Sequence, residues 1–243
     1  MAAGEGRRLL PLTERYAKPV LPIGGRPVVA TLLRELKAAG LGPVTIVVGH
    51  LGEQIERLLA GFDADLRFVT QPEPLGSADA VIRAGLEPPY VAVGADTVFT
   101  PGDVGRFVEA ASGSDGAIAV RRDPPPQPPH RSAVRVENGL VTNVLDRDGS
   151  NPLAGAPLWF LGPAAARHLH DLDGPPYELA QTFQRTIDEG GLVAGIEIGP
   201  TRDLTFPVDL VERNFGYMSA LGDPQDRGTG FGMSLTRVPW IDK

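Results

Sequence analysis

The first half of this chain alternates short apolar segments with amphipathic ones, and this alternation restricts the possible folds more than any other feature. Residues Val44–Val48 are β-branched throughout, which is typical of a strand covered on both faces in a parallel sheet. Residues 27–39, just before it, carry apolar side chains at helical spacing behind a proline that suits a first helical turn. Helices and strands repeated in this order predict a doubly wound α/β fold with a mostly parallel, Rossmann-like sheet.

The same pattern extends along most of the chain. Up to residue 120 it predicts helices over 52–60, 77–84 and 101–111 and strands over 66–70, 90–93 and 116–120. Beyond residue 131 it predicts short strands over 132–138, 140–145 and 156–161, a helix over 177–189 and a strand over 192–198. This second part indicates a small α+β appendage on the first half.

Chain length and proline content suggest the domain organisation. A chain of 243 residues can bury a core without disulfides or structural metals, so we interpret residues 1–243 as a single domain. Its halves, residues 1–123 and 130–221, are separated by the proline-rich segment 124–129, which we predict to be an extended surface loop. We interpret residues 222–243 as a loose tail.

Composition excludes several classes of protein. The chain has no cysteine, which excludes disulfides, thiolate catalysis and sulfur-ligated zinc. A net charge of −7 argues against nucleic acid as a partner. No apolar run approaches the roughly 20 residues of a membrane-spanning helix, and the N-terminus lacks the apolar region of a secretory signal. We therefore expect a cytoplasmic protein with no membrane partner.

The amino-terminal segment is rich in glycine, proline and cationic residues. Small residues such as Gly4 and Gly6 let a backbone approach a triphosphate, whose oxygens the backbone N–H groups can bind. Arg8 and Lys18 would add cationic contacts. A Gly-x-Gly pair taken alone is equally consistent with a simple tight turn.

The complete spacing of this segment resembles the signature of the sugar-phosphate nucleotidyltransferases, LAAGxGTRLxPLTxxxPKPxxPxxGxP. The matching stretch here reads AAGEGRRLLPLTERYAKPVLPIGGRP, and the similarity runs from Ala2 to about Leu221. It implies an enzyme that condenses an NTP with a sugar 1-phosphate in the presence of Mg²⁺ and releases pyrophosphate. By this resemblance, residues 1–123 bind the nucleotide and residues 130–221 bind the sugar phosphate.

The resemblance also implies roles for individual residues of this segment. Arg8 would meet the departing pyrophosphate and Lys18 the reacting phosphates. The residues implied to lie beneath the nucleotide are Ala2, Ala3, Gly4 and Gly6. The implied reaction is an in-line attack by the sugar's phosphate oxygen on the α-phosphorus of the NTP. Since this nucleophile is already an anion, the reaction requires no general base.

Residues 71–81, QPEPLGSADAV, match a second segment of the family. By the resemblance, Gln71 and Gly76 lie against the base, and Ser77 opens the next helix. An amide can read a base edge through its donor and acceptor, and a glycine lets a base stack on bare backbone. The alternative is a polar loop whose serine caps a helix.

Two aspartates are the candidate Mg²⁺ ligands. Asp96 follows an apolar strand and so stands at the carboxyl edge of the sheet, where α/β proteins bind ligands. An isolated aspartate after a strand could instead be a cap or a turn residue. The resemblance makes Asp96 one metal ligand and Asp203, in the segment 202–218, the other. We interpret Asp209 in that segment as a helix cap.

Weaker matches in the second half form the implied sugar-phosphate site. Asp146 and Arg147 stand where the family has a Glu-Lys pair, and Gly155 and Glu178 follow. Carboxylates suit sugar hydroxyls because each oxygen accepts hydrogen bonds. Glu178 could equally be a first-turn residue that faces the helix dipole.

The first strand is the main departure from the family's pattern. In the family, an apolar strand of about five residues, a usual strand length, precedes the glycine-rich loop. Here Met1 stands in the place of that strand's last residue. We therefore expect that the first strand is missing from the chain as given, through an upstream start or a truncation.

Two other functions stay open at this point. One is a cytidylyltransferase for phosphocholine or a phosphonate, which would share the nucleotide loop. The other is a catalytically silent subunit that binds nucleotide or sugar phosphate for regulation or assembly; the intact Arg8, Lys18, Asp96 and Asp203 argue against it. The chain could also assemble as a homo-oligomer. The pattern fixes neither the base nor the sugar.

Overall fold

A computed structural model describes residues 1–122 and 133–220, and this part of the chain alternates helices and strands as predicted. In chain order the elements are β1 (Pro22–Ile23), β2 (Arg26–Pro27), α1 (Val28–Ala38), β3 (Val44–Val48), α2 (Gly52–Leu59), β4 (Leu66–Thr70), α3 (Ser77–Ala84), β5 (Tyr90–Val93), β6 (Thr97–Val98), α4 (Asp103–Ala111), β7 (Gly116–Arg122), β8 (Ala133–Glu137), β9 (Leu140–Asp146), β10 (Leu153–Leu161), α5 (Pro163–Ala166), α6 (Leu179–Asp188), β11 (Val193–Glu197), β12 (Arg202–Asp203), α7 (Pro207–Glu212) and α8 (Phe215–Ala220). Among these described helices, none combines the length and the apolar character needed to cross a membrane.

Most of the predicted elements are confirmed. β3, β4, α3 and β5 have the predicted bounds because their apolar spacing is uninterrupted. α4 begins at Asp103 rather than at residue 101, since Gly102 adopts a left-handed conformation with φ 84. The two-residue strands β1, β2, β6 and β12 were not predicted, because two residues show no period. The predicted loop 124–129 and tail 222–243 lie outside the described residues.

The main sheet has six strands in the order β5-β10-β7-β11-β9-β8. β7 and β11 pair in parallel, but β10 runs antiparallel to both of its neighbours, β5 and β7. β3 and β4 form a separate parallel pair. The predicted α/β fold is confirmed, but the sheet is mixed rather than mostly parallel. The reason is that β10, a strand of the second half, inserts between two strands of the first half.

Helices cover both faces of the sheet, as the doubly wound prediction requires. Along β7, Ala117 and Ala119 join one core with α1, α2 and α4, whereas Ile118 and Val120 join a second core with α3, α5 and α6. Side chains alternate between the two faces of a strand, so this division follows from the period of two along β7.

Met1 and Ala2 lie between β3 and β5. The Ala2 N–H donates to Val47 O at 2.8 Å on one side. On the other side, the Met1 amino group donates to Val93 O at 2.8 Å, and the Ala95 N–H donates to Met1 O at 2.9 Å. These two residues occupy the place where the resemblance puts the end of the first strand. That more of this strand is missing stays a prediction.

One buried carboxylate fixes the connection between β11 and β12. Asp103 opens α4, and it is fully enclosed. It accepts hydrogen bonds from the backbone N–H of Gly199, at 2.8 Å, and from the guanidinium of Arg106. β12 follows this bend and pairs with β6, so the bond helps to place Asp203.

We predict that Asp103→Ala lowers the free energy of unfolding by about 1–3 kcal/mol, because it removes the acceptor of a partly buried N–H group. Glu109→Ala, an exposed change on the same helix, should alter it by about 0.5 kcal/mol or less. Chemical denaturation of both variants measures the difference. Equal stabilities would contradict this role for Asp103.

Candidate active site

A cavity of about 310 Å³ opens at the carboxyl edge of the sheet. Its walls come from the amino-terminal loop, from the residues after β5 and from those after β12. The lining residues that the sequence predicted are Ala2, Gly4, Gly6, Arg8, Lys18 and Asp96. Ala3 and Asp203 are chain neighbours of lining residues. The predicted phosphate-binding loop and one predicted metal ligand therefore share one space.

The two glycines of the loop have different roles. Gly6 adopts a left-handed conformation with φ 65, and a Cβ there would lie 2.8 Å from Thr13 Cγ2. Thr13 is buried, and its hydroxyl donates to Gly6 O at 3.0 Å. By contrast, no heavy atom lies within 4 Å of the position of a Cβ at Gly4. The turn requires Gly6, whereas Gly4 keeps the cavity wall open.

Arg8 lies on a 3-10 turn formed by Arg7–Leu9. Leu9 is 1% exposed and anchors the turn in a small core that also contains Leu204. Arg7 pairs with Glu5 at 2.6 Å, on the exposed side of the turn. Arg8 is itself exposed and lines the cavity, so its charge is available to an anion bound there.

Lys18 enters the cavity from the 3-10 turn Lys18–Val20, which α2 holds in place. Gln54 of α2 accepts a hydrogen bond from the Ala17 N–H at 2.9 Å and donates to Arg15 O at 2.7 Å. Lys18 Nζ lies 2.5 Å from Asp96 Oδ2, and 16% and 35% of the two side chains are exposed. This ion pair joins the amino-terminal loop to the end of β5.

β6 and β12 bring the two predicted metal ligands together. Asp203 pairs with Thr97, so it lies beside the residue that follows Asp96. It also accepts a hydrogen bond of 3.5 Å from Thr205 Oγ1. Two carboxylates fit Mg²⁺, which usually binds through one or two carboxylates and completes its shell with water and substrate phosphates. In residues 1–122 and 133–220 there is no cluster of three or more acidic or histidine side chains that could hold a metal ion.

Asp209 caps α7 as predicted. Its Oδ2 accepts hydrogen bonds from the backbone N–H groups of Thr205 and Phe206, each at 2.7 Å. The cap holds the turn that follows Asp203, and Thr205 lines the cavity from this turn.

Gln71, Gly76 and Ser77 lie across β3 from the glycine-rich loop. The Gln71 N–H donates to Val48 O at 2.8 Å, while Ala2 pairs with Val48 from the other side. Two strand spacings therefore separate Ala2 from Gln71, or about 10 Å. None of the three lines the cavity, so they form a second part of the candidate site beside it.

The start of α3 is bound to the start of α6. Ser77 Oγ donates to Glu178 Oε2 at 2.5 Å and accepts from the Leu179 N–H at 2.9 Å. Gly76 has φ 112, and a Cβ there would overlap Tyr177 O, so only glycine fits. Glu178 is also the N-cap of α6, one residue before the first turn in which its alternative interpretation placed it. A contact between Glu178 and a sugar stays a prediction.

Gly155 lies in the part of β10 that extends beyond the carboxyl end of β5. Leu158 of β10 is the partner of Val93, the last residue of β5, so the residues before Leu158 project toward the end of the sheet that carries Asp96. This placement is compatible with the sugar-phosphate role implied for Gly155, which stays a prediction.

Arg147 is exposed after β9 and is not a lining residue of the cavity. Its neighbour Asp146 is already bound, by Arg135 at 2.9 Å and by Asn151 at 2.8 Å. Burial raises the pKa of Asp146, but hydrogen bonds from the Asp148 backbone and Asn151 and the charge of Arg135 outweigh burial and leave it below its ordinary value. This carboxylate is thus engaged within the second half.

Asn214, for which the sequence predicts no role, lies at the turn between β1 and β2. Its Oδ1 accepts from the Gly25 N–H at 2.9 Å, and its Nδ2 donates to Pro22 O at 2.8 Å and to Leu210 O at 2.7 Å. Asn214 thereby ties the carboxyl-terminal helices to the hairpin that follows the Lys18 turn. The only available signal was its place in the segment 202–218 that resembles the family.

Phosphate-binding loops and carboxylates at one sheet edge are typical of α/β proteins that bind nucleotides together with a metal ion. The chain belongs to the MobA-like NTP transferase domain family, whose sequence model matches residues 1–178. This match confirms the resemblance that the amino-terminal signature indicated.

Individual relatives share different parts of the chain. The chain is 32% identical over 153 residues to the CMP-5'-(3-aminopropyl)phosphonate synthase of Streptomyces rubellomurinus, a match that spans 60% of this chain and 24% of that protein. It is 27% identical over 256 residues to a glucose-1-phosphate thymidylyltransferase of Streptomyces antibioticus, spanning 94% and 68% of the two chains. The inositol-1-phosphate CTP transferase structure from T. maritima has the same fold, with a TM-score of 0.76, 18% identity and 90% and 92% of the chains covered.

We predict that Gly6→Ala destabilises the protein by about 1–2 kcal/mol, because alanine in a left-handed conformation is strained and its Cβ would press on Thr13. Gly4→Ala should leave the stability within about 0.5 kcal/mol of wild type, since its Cβ meets no other atom. Thermal and denaturant unfolding of the pair provides the measurement. Equal destabilisation by both changes would show that the loop is not held as described.

Proposed function

We propose that this protein transfers a nucleoside monophosphate from an NTP to the phosphate oxygen of a sugar 1-phosphate and releases pyrophosphate. The observation that carries the proposal is the shared cavity, which is lined by Arg8, Lys18 and the glycine-rich loop on one side and by Asp96 on the other. Cations, a glycine-rich backbone and a carboxylate in one space suit a triphosphate and its metal ion.

The nucleotide would bind with its phosphates on the loop and its base toward Gln71. Gly4 leaves space for the phosphates, and Arg8 is exposed to them. The separation of about 10 Å between Ala2 and Gln71, which follows from two strand spacings, is of the order of the length of a nucleotide. Gly76 and Ser77 would then lie at the base end of the site.

The reaction would form a bond between an oxygen of the second substrate's phosphate and the α-phosphorus. The bond from that phosphorus to the bridging oxygen breaks, and the electron pair leaves with pyrophosphate. Lys18 Nζ would exchange Asp96 for a phosphate oxygen, and Arg8 would stabilise the charge that develops on the leaving group. The attacking oxygen is already anionic, so positioning and cationic stabilisation would supply the catalysis.

Asp96 and Asp203 would hold the Mg²⁺ that accompanies the NTP. When bound, the ion would neutralise developing phosphate charge and orient the α-phosphate. Asp96 is 35% exposed despite its bond to Lys18, so the carboxylate is accessible from the cavity.

The second substrate would bind in the second half, residues 130–221. Gly155 projects beyond β5 toward the cavity side of the sheet, and we keep Gly155, Arg147 and Glu178 as its proposed contacts. A sugar 1-phosphate is supported by the similarity to a glucose-1-phosphate thymidylyltransferase over 94% of this chain. Cytoplasmic location and assembly as a homo-oligomer stay predictions.

A phosphonate is the second candidate substrate. The relative that shares 32% identity over 153 residues is a CMP-5'-(3-aminopropyl)phosphonate synthase. A phosphonate offers the same anionic oxygen for attack on the α-phosphorus, so the same loop and metal site would serve.

Pyrophosphate release measures this function directly. Each of the five common NTPs would be tested with Mg²⁺ against sugar 1-phosphates, phosphocholine and alkylphosphonates. We expect pyrophosphate release to require both an NTP and a second substrate. The pair that reacts identifies both substrates. A folded protein that releases no pyrophosphate with any pair would refute the enzyme and favour a silent binding subunit.

Lys18→Met should lower kcat for the reactive pair by about 10²–10³-fold, because it removes one preorganised cation from the transition state. The KM for the NTP should change much less, since Arg8 and the loop remain. Lys37→Met is the matched control, because Lys37 is 57% exposed on α1 and pairs with Asp63 outside the cavity. A normal kcat for Lys18→Met would remove Lys18 from the mechanism.

Asp96→Asn should raise the Mg²⁺ concentration needed for half-maximal rate by roughly 10–100-fold, a range seen even for residues that only support metal ligands. Asp203→Asn should shift it in the same direction. Asp63→Asn, at a carboxylate that is 98% exposed, serves as the control. Magnesium titration of the steady-state rate separates these variants, and an unshifted curve for Asp96→Asn would argue against a metal at this site.

A further inference from the structure

Asp79 holds the side-chain amide of Gln71 in one orientation. Gln71 Nε2 donates to Gly76 O at 3.1 Å and to Asp79 Oδ2 at 2.7 Å. An amide nitrogen carries two hydrogens, so both are used. Rotation of the amide would place its oxygen against two other oxygens, which cannot donate to it. The nitrogen therefore faces Asp79 and Gly76, and the oxygen points away from them.

Asp79 can only accept hydrogen bonds while it is ionised. Burial raises its pKa, but hydrogen bonds from Arg83 and Gln71 and the charge of Arg83 outweigh burial and leave the pKa below its ordinary value. Arg83 Nε lies 2.7 Å from the same oxygen that accepts from Gln71. At neutral pH, Asp79 thus has no proton to offer to Gln71.

The carbonyl oxygen of Gln71 is the end of this network that stays available. No donor in residues 1–122 and 133–220 makes a hydrogen bond to Gln71 Oε1. Only 5% of Gln71 is exposed. Its Oε1, which has no partner among the described residues, is nevertheless not fully buried. An amide oxygen in such a place suits a ligand that supplies an N–H group.

We propose that Asp79 is a positioning residue for nucleotide selection: by orienting Gln71, it presents a single acceptor to the nucleobase and favours a base with an N–H donor at that point of its edge. The inference rests on the proposed function, because it requires an NTP in the cavity. Ala2 lines the cavity and lies two strand spacings from Gln71, about 10 Å, so the base of a nucleotide whose phosphates bind the loop would reach Oε1.

The test measures binding of the five common NTPs to the full chain by calorimetry in the presence of Mg²⁺. The tightest binder is then compared with an analogue that lacks the donor: pyrimidin-2-one for cytosine, 3-methyluracil for uracil, 3-methylthymine for thymine, purine for adenine or 1-methylhypoxanthine for guanine. Wild type should bind the parent at least about tenfold more tightly, because the analogue leaves a nearly buried acceptor unpaired.

Variants then test whether Asp79 controls the ratio of parent to analogue affinity. Asp79→Ala should reduce the ratio to about threefold or less. The ratio for Asp79→Asn should lie between those of wild type and Asp79→Ala, since the asparagine amide can donate as well as accept. Gln71→Met should abolish the ratio, and Asp79→Ala added to it should have no further effect. A merely structural role would weaken parent and analogue equally. Glu87→Gln is the control, because Glu87 is an exposed carboxylate just after α3 and lies outside the network of Gln71, Asp79 and Arg83, so its ratio should match wild type.

The outcomes separate this inference from the proposed function. If the protein binds an NTP but neither Asp79→Ala nor Asp79→Asn changes the ratio of parent to analogue affinity, the role of Asp79 is overturned. The proposed transferase function is then unaffected. If Asp79→Ala does not fold, Asp79→Asn alone decides in the same way. Wild type that binds no NTP would overturn both.

Discussion

The carboxyl ends of β3, β4 and β5 lie at one edge of the fold, and the candidate site depends on this constraint. Strands that run in the same direction end on the same side, so loops that are distant in sequence meet there. Lys18 and Asp96 are 78 positions apart along the chain, yet Nζ and Oδ2 are separated by 2.5 Å. Their ion pair satisfies both charges where the loop meets the sheet. Under the proposed function, a triphosphate with its metal ion would offer each of them a new partner.

Local charge at this edge differs from that of the chain as a whole. The net charge is −7, yet Arg7, Arg8 and Lys18 all line the cavity. At physiological salt the screening length is about 8 Å, so a bound anion responds mainly to charges within that range. The negative remainder of the chain therefore does not prevent phosphate binding. The second half is tied to this edge through Ser77 and Glu178, whose contact at 2.5 Å joins the start of α3 to the start of α6.

Sequence patterns predicted the elements that have a local cause. β3 is β-branched throughout and α3 is bounded by two glycines, so both were predicted to the residue. The resemblance identified the loop residues because their spacing is unusual. Pairing between distant segments leaves no such trace: the insertion of β10 beside β5 depends on contacts made only after folding. The contacts of Asn214 and Asp79 leave no local trace either. Asn214 bonds to backbone groups, and Asp79 accepts from the side-chain amide of Gln71, and only the folded chain brings these groups together.

We propose that the glycine-rich loop, Lys18 and the two aspartates form one site for an NTP and its metal ion. A crystal structure with a non-hydrolysable NTP analogue and Mg²⁺ would show whether they do. We expect phosphates on the backbone of residues 4–6, Lys18 Nζ moved from Asp96 to a phosphate oxygen, and the metal ion on Asp96 and Asp203. A nucleotide bound elsewhere, with the ion pair between Lys18 and Asp96 intact, would contradict it.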